Sequence, residues 1–253
     1  MRTRHVPRTG PRYWSALSVA SVFGANMGDF VSHDLHGGHW RGLGPVALLF
    51  ALILGAEARS ARHAQAAPDS AWGEAYYWLA IVTLRTAATN LGDLATHDFH
   101  LSFPLTVAGL AMVLAALVAL ARRSSAARDD GSGIPVTDAT DWATMLVAGT
   151  FGTVAGDYVA GVLGLGVGVG SLVLIAVLAA MLVWRALPGA GGVVTYWLTV
   201  AAVRTAGTTV GDFAAFRHGL NLGLPLSTLV TGALLVAILV AWPRKPAPRP
   251  IIA

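Results

Sequence analysis

The chain has no cysteine. That excludes disulfides, thiolate metal sites, cysteine nucleophiles and cysteine-bound iron–sulfur clusters. Charge is also scarce. Only 12% of the 253 residues are Asp, Glu, Lys or Arg, against about 25% in soluble domains. Hydrophobic residues make up 55%, and apolar stretches of about 20 residues, long enough to cross a hydrocarbon core of about 30 Å, recur along the chain. The sequence is that of an integral membrane protein. No G-x-S-x-G or comparable nucleophile setting occurs. "GLGVGVG" at 164–170 has no strand before it and no lysine after it, so it reads as a close-packed helix start and not as a nucleotide loop. The net charge of +4 comes from loop arginines, and no stretch mixing aromatic and basic residues supports nucleic-acid binding.

What the chain does have is a repeat. Trp14 precedes Asp29 by 15 residues, and the same spacing separates Trp78 from Asp93, Trp142 from Asp157 and Trp197 from Asp212. Each aspartate follows a glycine: Gly28, Gly92, Gly156 and Gly211. Four copies at one spacing mark an internal repeat. Each copy holds a Trp-to-Asp apolar segment, a short turn and a second apolar segment. Copies two and four share "YWLAIVTLRTAATNLGD" and "YWLTVAAVRTAGTTVGD", while copies one and three share "FGANMGD" and "FGTVAGD". A two-helix unit doubled twice accounts for this. The spacing predicts helices at about 13–36, 43–58, 75–98, 103–121, 141–160, 164–185, 194–216 and 223–242, the second being short for a span. The start of the chain has a basic region followed by an apolar one, like a signal peptide. Its apolar part runs into the repeated motif, so a retained helix is expected.

The expected fold is all-α, with eight transmembrane helices forming four parallel two-helix repeats and a pseudo-two-fold axis along the membrane normal. Residues 1–122 form the first four-helix half, 123–140 a cytoplasmic linker and 141–253 the second half. Basic residues set the orientation. Thirteen lie in the N-terminal tail, the connections after helices two and six, the central linker and the C-terminal tail, while Arg41 and Arg217 lie on the other side. The positive-inside rule then places both termini in the cytoplasm.

The helix-starting "YW", the "GD" and the small-residue restarts "GLGVGVGS" at 164–171 and "NLGLPLST" at 221–228 give the chain a family resemblance. It resembles the bacterial membrane proteins built from four tandem two-helix repeats, a family known as a repeat of unknown function. The resemblance spans essentially the whole chain. It implies an eight-helix protein of a bacterial inner (plasma) membrane, without an established activity.

Two copies carry more than the repeat needs. "GDFVSHDLH" at 28–36 and "GDLATHDFH" at 92–100 share the template G-D-x-x-x-H-D-x-H. On a continuous helix Asp29, His33 and His36 fall on one stripe, as do Asp93, His97 and His100. One carboxylate and two imidazoles on a stripe make half of a site for a divalent metal of the Zn, Mn or Fe type. Asp34 and Asp98 point elsewhere and suit a supporting role, orienting a ligating ring. A bland reading stands beside this, in which a histidine at a helix end simply meets the negative end of the helix dipole. His39 and His218 are single and near loops, and read as solvated. Bis-histidine haem ligation would be shallow for a bundle.

Acids deep in a bilayer are costly and face a bundle interior or water. Asp29, Asp93, Asp157 and Asp212 are therefore transport-pathway candidates, with Arg85 and Arg204 at equivalent positions of copies two and four. The geometry of straight helices places each acid about 22 Å from its tryptophan and each arginine about 10 Å. The arginines are expected to lean to the cytoplasmic side, meeting carbonyls, Glu57 or water, and not the repeat aspartates. The leading functional expectation is a transporter or ion-handling protein for a small divalent cation, with protons as the candidate counter-ion and the lipid bilayer as its setting. The alternatives are a membrane-embedded metalloenzyme with an Asp/His centre, and a structural membrane protein whose polar residues only join helices.

Overall fold

The computed structural model describes residues 7, 9–34, 38–63, 71–126 and 138–242. The described residues form eight helices and no strand. They are α1 (Pro11–Asp29), α2 (Gly38–His63), α3 (Ala71–Asp93), α4 (Phe103–Ala126), α5 (Ala139–Asp157), α6 (Gly166–Ala186), α7 (Val193–Ala215) and α8 (Leu224–Ala241). The expected boundaries agree within a few residues, except at α2. That helix is 26 residues long and carries Pro45 inside it, so it is not a short span. Most of the expected linker, 127–137, lies outside the described residues.

The helices divide into two layers. α1, α3, α5 and α7 carry the Trp-to-Asp segments and form a closed inner ring, each touching the next and α7 touching α1. The others stand outside, each chiefly against the inner helix of the following copy: α2 on α3, α4 on α5, α6 on α7, and α8 back on α1. The two helices of one unit are thus not a self-contained hairpin. The burial pattern follows from this order. α4 and α6 have windows of mean hydropathy 2.4 and 2.6, yet only 6% and 11% of those windows are buried. Leu105, Met112, Leu172 and Val183 stand exposed on them. An apolar face of that extent belongs against lipid. Five helices are long and apolar enough to cross a membrane: α2, α4, α5, α6 and α8. α1, α3 and α7 carry the Gly, Thr, Asn, Arg and Asp that the inner ring uses, which lowers their hydropathy without exposing polar groups to lipid.

Small residues set the spacing of the ring. A side chain added at Gly28 would meet Thr89, at Gly92 Thr153, at Gly156 Thr208, and at Gly211 Ala25 and Asn26. The glycine of every Gly-Asp therefore sits close against the next inner helix, most tightly at Gly28 and Gly211. At the tryptophan end, Trp14, Trp78, Trp142 and Trp197 are all buried. Tyr13 joins its neighbours there, with its hydroxyl 2.9 Å from that of Tyr77 and 2.6 Å from that of Tyr196. The fourth equivalent position holds Asp141, which closes a capping box with Asp138 at the start of α5. The inner helices run the same way, because their tyrosines meet at one end and their Gly-Asp pairs meet at the other.

Candidate functional site: the carboxylate end of the inner ring

The four repeat aspartates gather at the C-terminal ends of the inner helices. Electrostatic interactions link Asp29 to Asp93 and Asp157, Asp93 to Asp157 and Asp212, and Asp212 back to Asp29. Asp29 and Asp93 are 9% and 6% exposed, although each is acidic and set in a helical bundle. Helix C-termini add negative potential of their own at this end of the ring. In copies one to three a five-residue π-helical segment follows the aspartate: Phe30–Asp34, Leu94–Asp98 and Tyr158–Val162. The wider turn shows in Phe99 N–H donating to Leu94 O at 2.9 Å and Leu163 N–H to Tyr158 O at 2.9 Å. π turns re-aim the residues that follow, and they recur at functional sites.

That re-aiming changes the two expected stripes. His97 Nδ1 is 3.9 Å from Asp93 Oδ1, as the i, i+4 spacing requires, and 3.2 Å from Thr96 Oγ1. His100, by contrast, has φ of 52° and is exposed. It occupies the left-handed position that stops the helix, so its side chain leaves the stripe. His36 lies outside the described residues. His33 remains, with its ring centroid 5.4 Å from that of His39.

His39 is the residue that sequence reasoning misplaced. It is 9% exposed, not solvated. It sits at the start of α2, which folds back against α3, and this brings it between the two motifs. Its Nδ1 lies 2.9 Å from Asp98 Oδ1 and its Nε2 4.0 Å from Asp93 Oδ2. Its ring is 6.3 Å from that of His97. Asp98 therefore does orient a ring, but it is the ring of His39. The other ring nitrogen, Nε2, is buried and has no hydrogen-bond partner. The repeat held one signal for this. His39 stands 25 residues after Trp14, as Phe103 stands 25 after Trp78, and Phe103 makes the matching ring contact to His97 at 6.2 Å. His218 is exposed, as expected. Among the described residues no three acidic or histidine side chains stand close enough together to hold a metal ion. The arrangement is an open one, with Asp93 between His39 and His97.

Deeper in the ring lie the two arginines, both 0% exposed. Arg204 is held from all sides. It donates to Ser21 O at 2.8 Å, Gly149 O at 3.2 Å and Arg85 O at 3.3 Å, and these are the residues at its own register on the other three inner helices. It also donates to Thr153 Oγ1 at 3.0 Å and to Thr89 Oγ1. Those threonines lie one turn nearer the aspartates. The expected carbonyl partners are present, but the lean of Arg204 is toward the carboxylates, and its burial leaves no place for bulk water. Arg85 turns the other way, toward Met145 Sδ at 3.7 Å. Among the described residues no guanidinium lies within 4.0 Å of a repeat aspartate.

An inner ring of parallel helices, sheathed by apolar outer helices and closed around buried charge, defines a polytopic membrane protein with a polar interior. Residues 195–246 match the family described as Repeat of Unknown Function (DUF347). The match covers α7 and α8, the fourth of the repeat units, in agreement with the resemblance seen in the sequence. No curated protein and no solved structure matches the chain.

Proposed function

We propose that the protein is a transporter for a divalent metal cation in a bacterial inner membrane. All eight helices cross the bilayer in this reading, with both termini cytoplasmic and the four units arranged about an axis along the membrane normal. The cation arrives from the non-cytoplasmic side, at His39, Asp93 and His97, and reaches the ring of Asp29, Asp93, Asp157 and Asp212. Protons are the counter-ion, since carboxylates and imidazoles in a bundle suit proton relay.

One observation carries this reading: the buried, unpartnered Nε2 of His39, aimed at Asp93 while Asp98 holds the opposite nitrogen. A carboxylate behind an imidazole that presents its free nitrogen to a second carboxylate is how metal-binding histidines are oriented. Nitrogen and oxygen donors without sulfur suit Zn, Mn or Fe. Ligand bonds of about 2.1 Å require the 3.9 and 4.0 Å gaps around Asp93 to close by roughly half an ångström. His97, at 57% side-chain exposure, has room to move. Five donated hydrogen bonds fix Arg204 on the axis beneath the ring, so the structure fits a state closed toward the tryptophan end. The metalloenzyme and purely structural readings gain no observation of their own.

Uptake into proteoliposomes tests the proposal. Purified protein should carry manganese, iron or zinc inward against an opposing proton gradient, and Asp93→Asn should abolish the flux. Equal leakage from empty and loaded vesicles for all three metals would reject transport.

A further inference from the structure

The tryptophan end of the axis holds a group that the cation pathway does not use. Arg85 is fully buried, and among the described residues the only hydrogen-bond partner of its guanidinium is the Met145 sulfur. Its Nε and Nη1 have no acceptor. Among the described residues no carboxylate lies within 4.0 Å of its guanidinium. Met145 belongs to the same buried cluster as Tyr13, Tyr77 and Tyr196, so the guanidinium points toward the phenols. The tyrosine cluster has more donors than it has internal hydrogen bonds. The three hydroxyls share two hydrogen bonds, so three O–H protons serve two contacts and one donor is left over. Asp141 holds the fourth register position, but its carboxylate accepts from Asp138 N–H at 3.3 Å in the capping box. Fully buried Leu17, Ile81 and Val203 contribute no acceptor side chain to the same core.

A buried cation among surplus donors is costly unless a counter-charge is present. We propose that Arg85 and the Tyr13–Tyr77–Tyr196 cluster bind a small monovalent anion of halide size on the bundle axis. The guanidinium supplies the charge and the spare N–H groups, and a phenol supplies a further O–H. Arg204 does not compete for it, since its own donors are committed to Ser21, Arg85, Gly149, Thr89 and Thr153. This site is independent of metal binding at the opposite end.

The test uses full-length protein in detergent at fixed ionic strength, with sodium chloride or bromide exchanged for sodium gluconate. Chloride and bromide should raise the wild-type Tm saturably, by about 5 °C when the site is well occupied. Tyr77→Phe should shift the half-saturating concentration upward several-fold, and Arg85→Met should remove the effect. Should Arg85→Met fail to fold, crystals of the wild type grown in bromide decide the matter. An anomalous peak beside Arg85 is the expected result. A Tm that is the same in chloride and gluconate, or bromide crystals without a peak there, would overturn the proposal in favour of water alone.

Discussion

Arg204 and Arg85 occupy the same register of two nearly identical segments, and both are fully buried, yet their surroundings differ throughout. Arg204 meets three carbonyls and two hydroxyls drawn from the other inner helices. Arg85 is left with a thioether and unpaired nitrogens. The repeat explains why they cannot match. The equivalent positions in copies one and three are Ser21 and Gly149, so the ring has room for one guanidinium at the central level, and the second must turn toward the tyrosines. A repeated sequence position thus fixes where a side chain starts, and the closed ring decides what it meets.

The comparison can be broken at five places. Arg204→Met should have the largest effect. It strips a donor from Ser21 O, Gly149 O and Arg85 O at once, and a loss of about 4 kcal/mol or a failure to assemble is expected, read from the SDS or thermal unfolding midpoint. Next come Gly152→Ala and Gly24→Ala. A side chain at Gly152 would meet Arg204 Cβ and Cγ, and one at Gly24 would meet Arg85 Cβ. These are the inflexible ends of their arginines, so each substitution should cost about 2 kcal/mol by forcing helices apart. Arg85→Met, measured in gluconate, should cost about 1 kcal/mol or less, because a poorly paired buried cation gives way to an apolar chain of similar length. A loss equal to that of Arg204→Met would erase the distinction between the two arginines. The smallest effect belongs to Gly55→Ala. Nothing lies within 4 Å of an added side chain there, and a change of no more than about 1 kcal/mol, in the stabilising direction, is expected from helix propensity.

Much of the architecture was legible because the repeat writes it four times. The Trp-to-Asp spacing located the inner helices, and the Gly-Asp glycines turned out to be the close approaches between them. The outer helices were legible from their apolar runs. α2 was misjudged because its first turn, with Gly38 and Gly42, read like a loop, whereas the helix starts there and runs on to His63. The site was legible only in part. Asp93, His97 and the acid ring follow from local spacing. The break at His100 depends on a π turn and a left-handed residue, which a straight-helix projection does not contain. His39 depends on α2 crossing to α3 and not to its own partner α1, and no local pattern carries that long-range contact. The tyrosine cluster was visible as "YW", but its meaning waited on the ring that brings three copies together.

The proposed metal site rests most heavily on His39, which has no histidine counterpart in the second repeat copy. The direct measurement is divalent-metal binding to purified, chelator-treated protein, by equilibrium dialysis with metal analysis, for the wild type, His39→Gln and Asp98→Asn. One divalent ion per chain is predicted for the wild type, with binding lost in His39→Gln and weakened about 10- to 100-fold in Asp98→Asn, whose carboxylate orients the ring without touching the ion. Wild-type protein that binds no divalent metal near neutral pH, or His39→Gln protein that binds it as tightly as the wild type, would contradict the account.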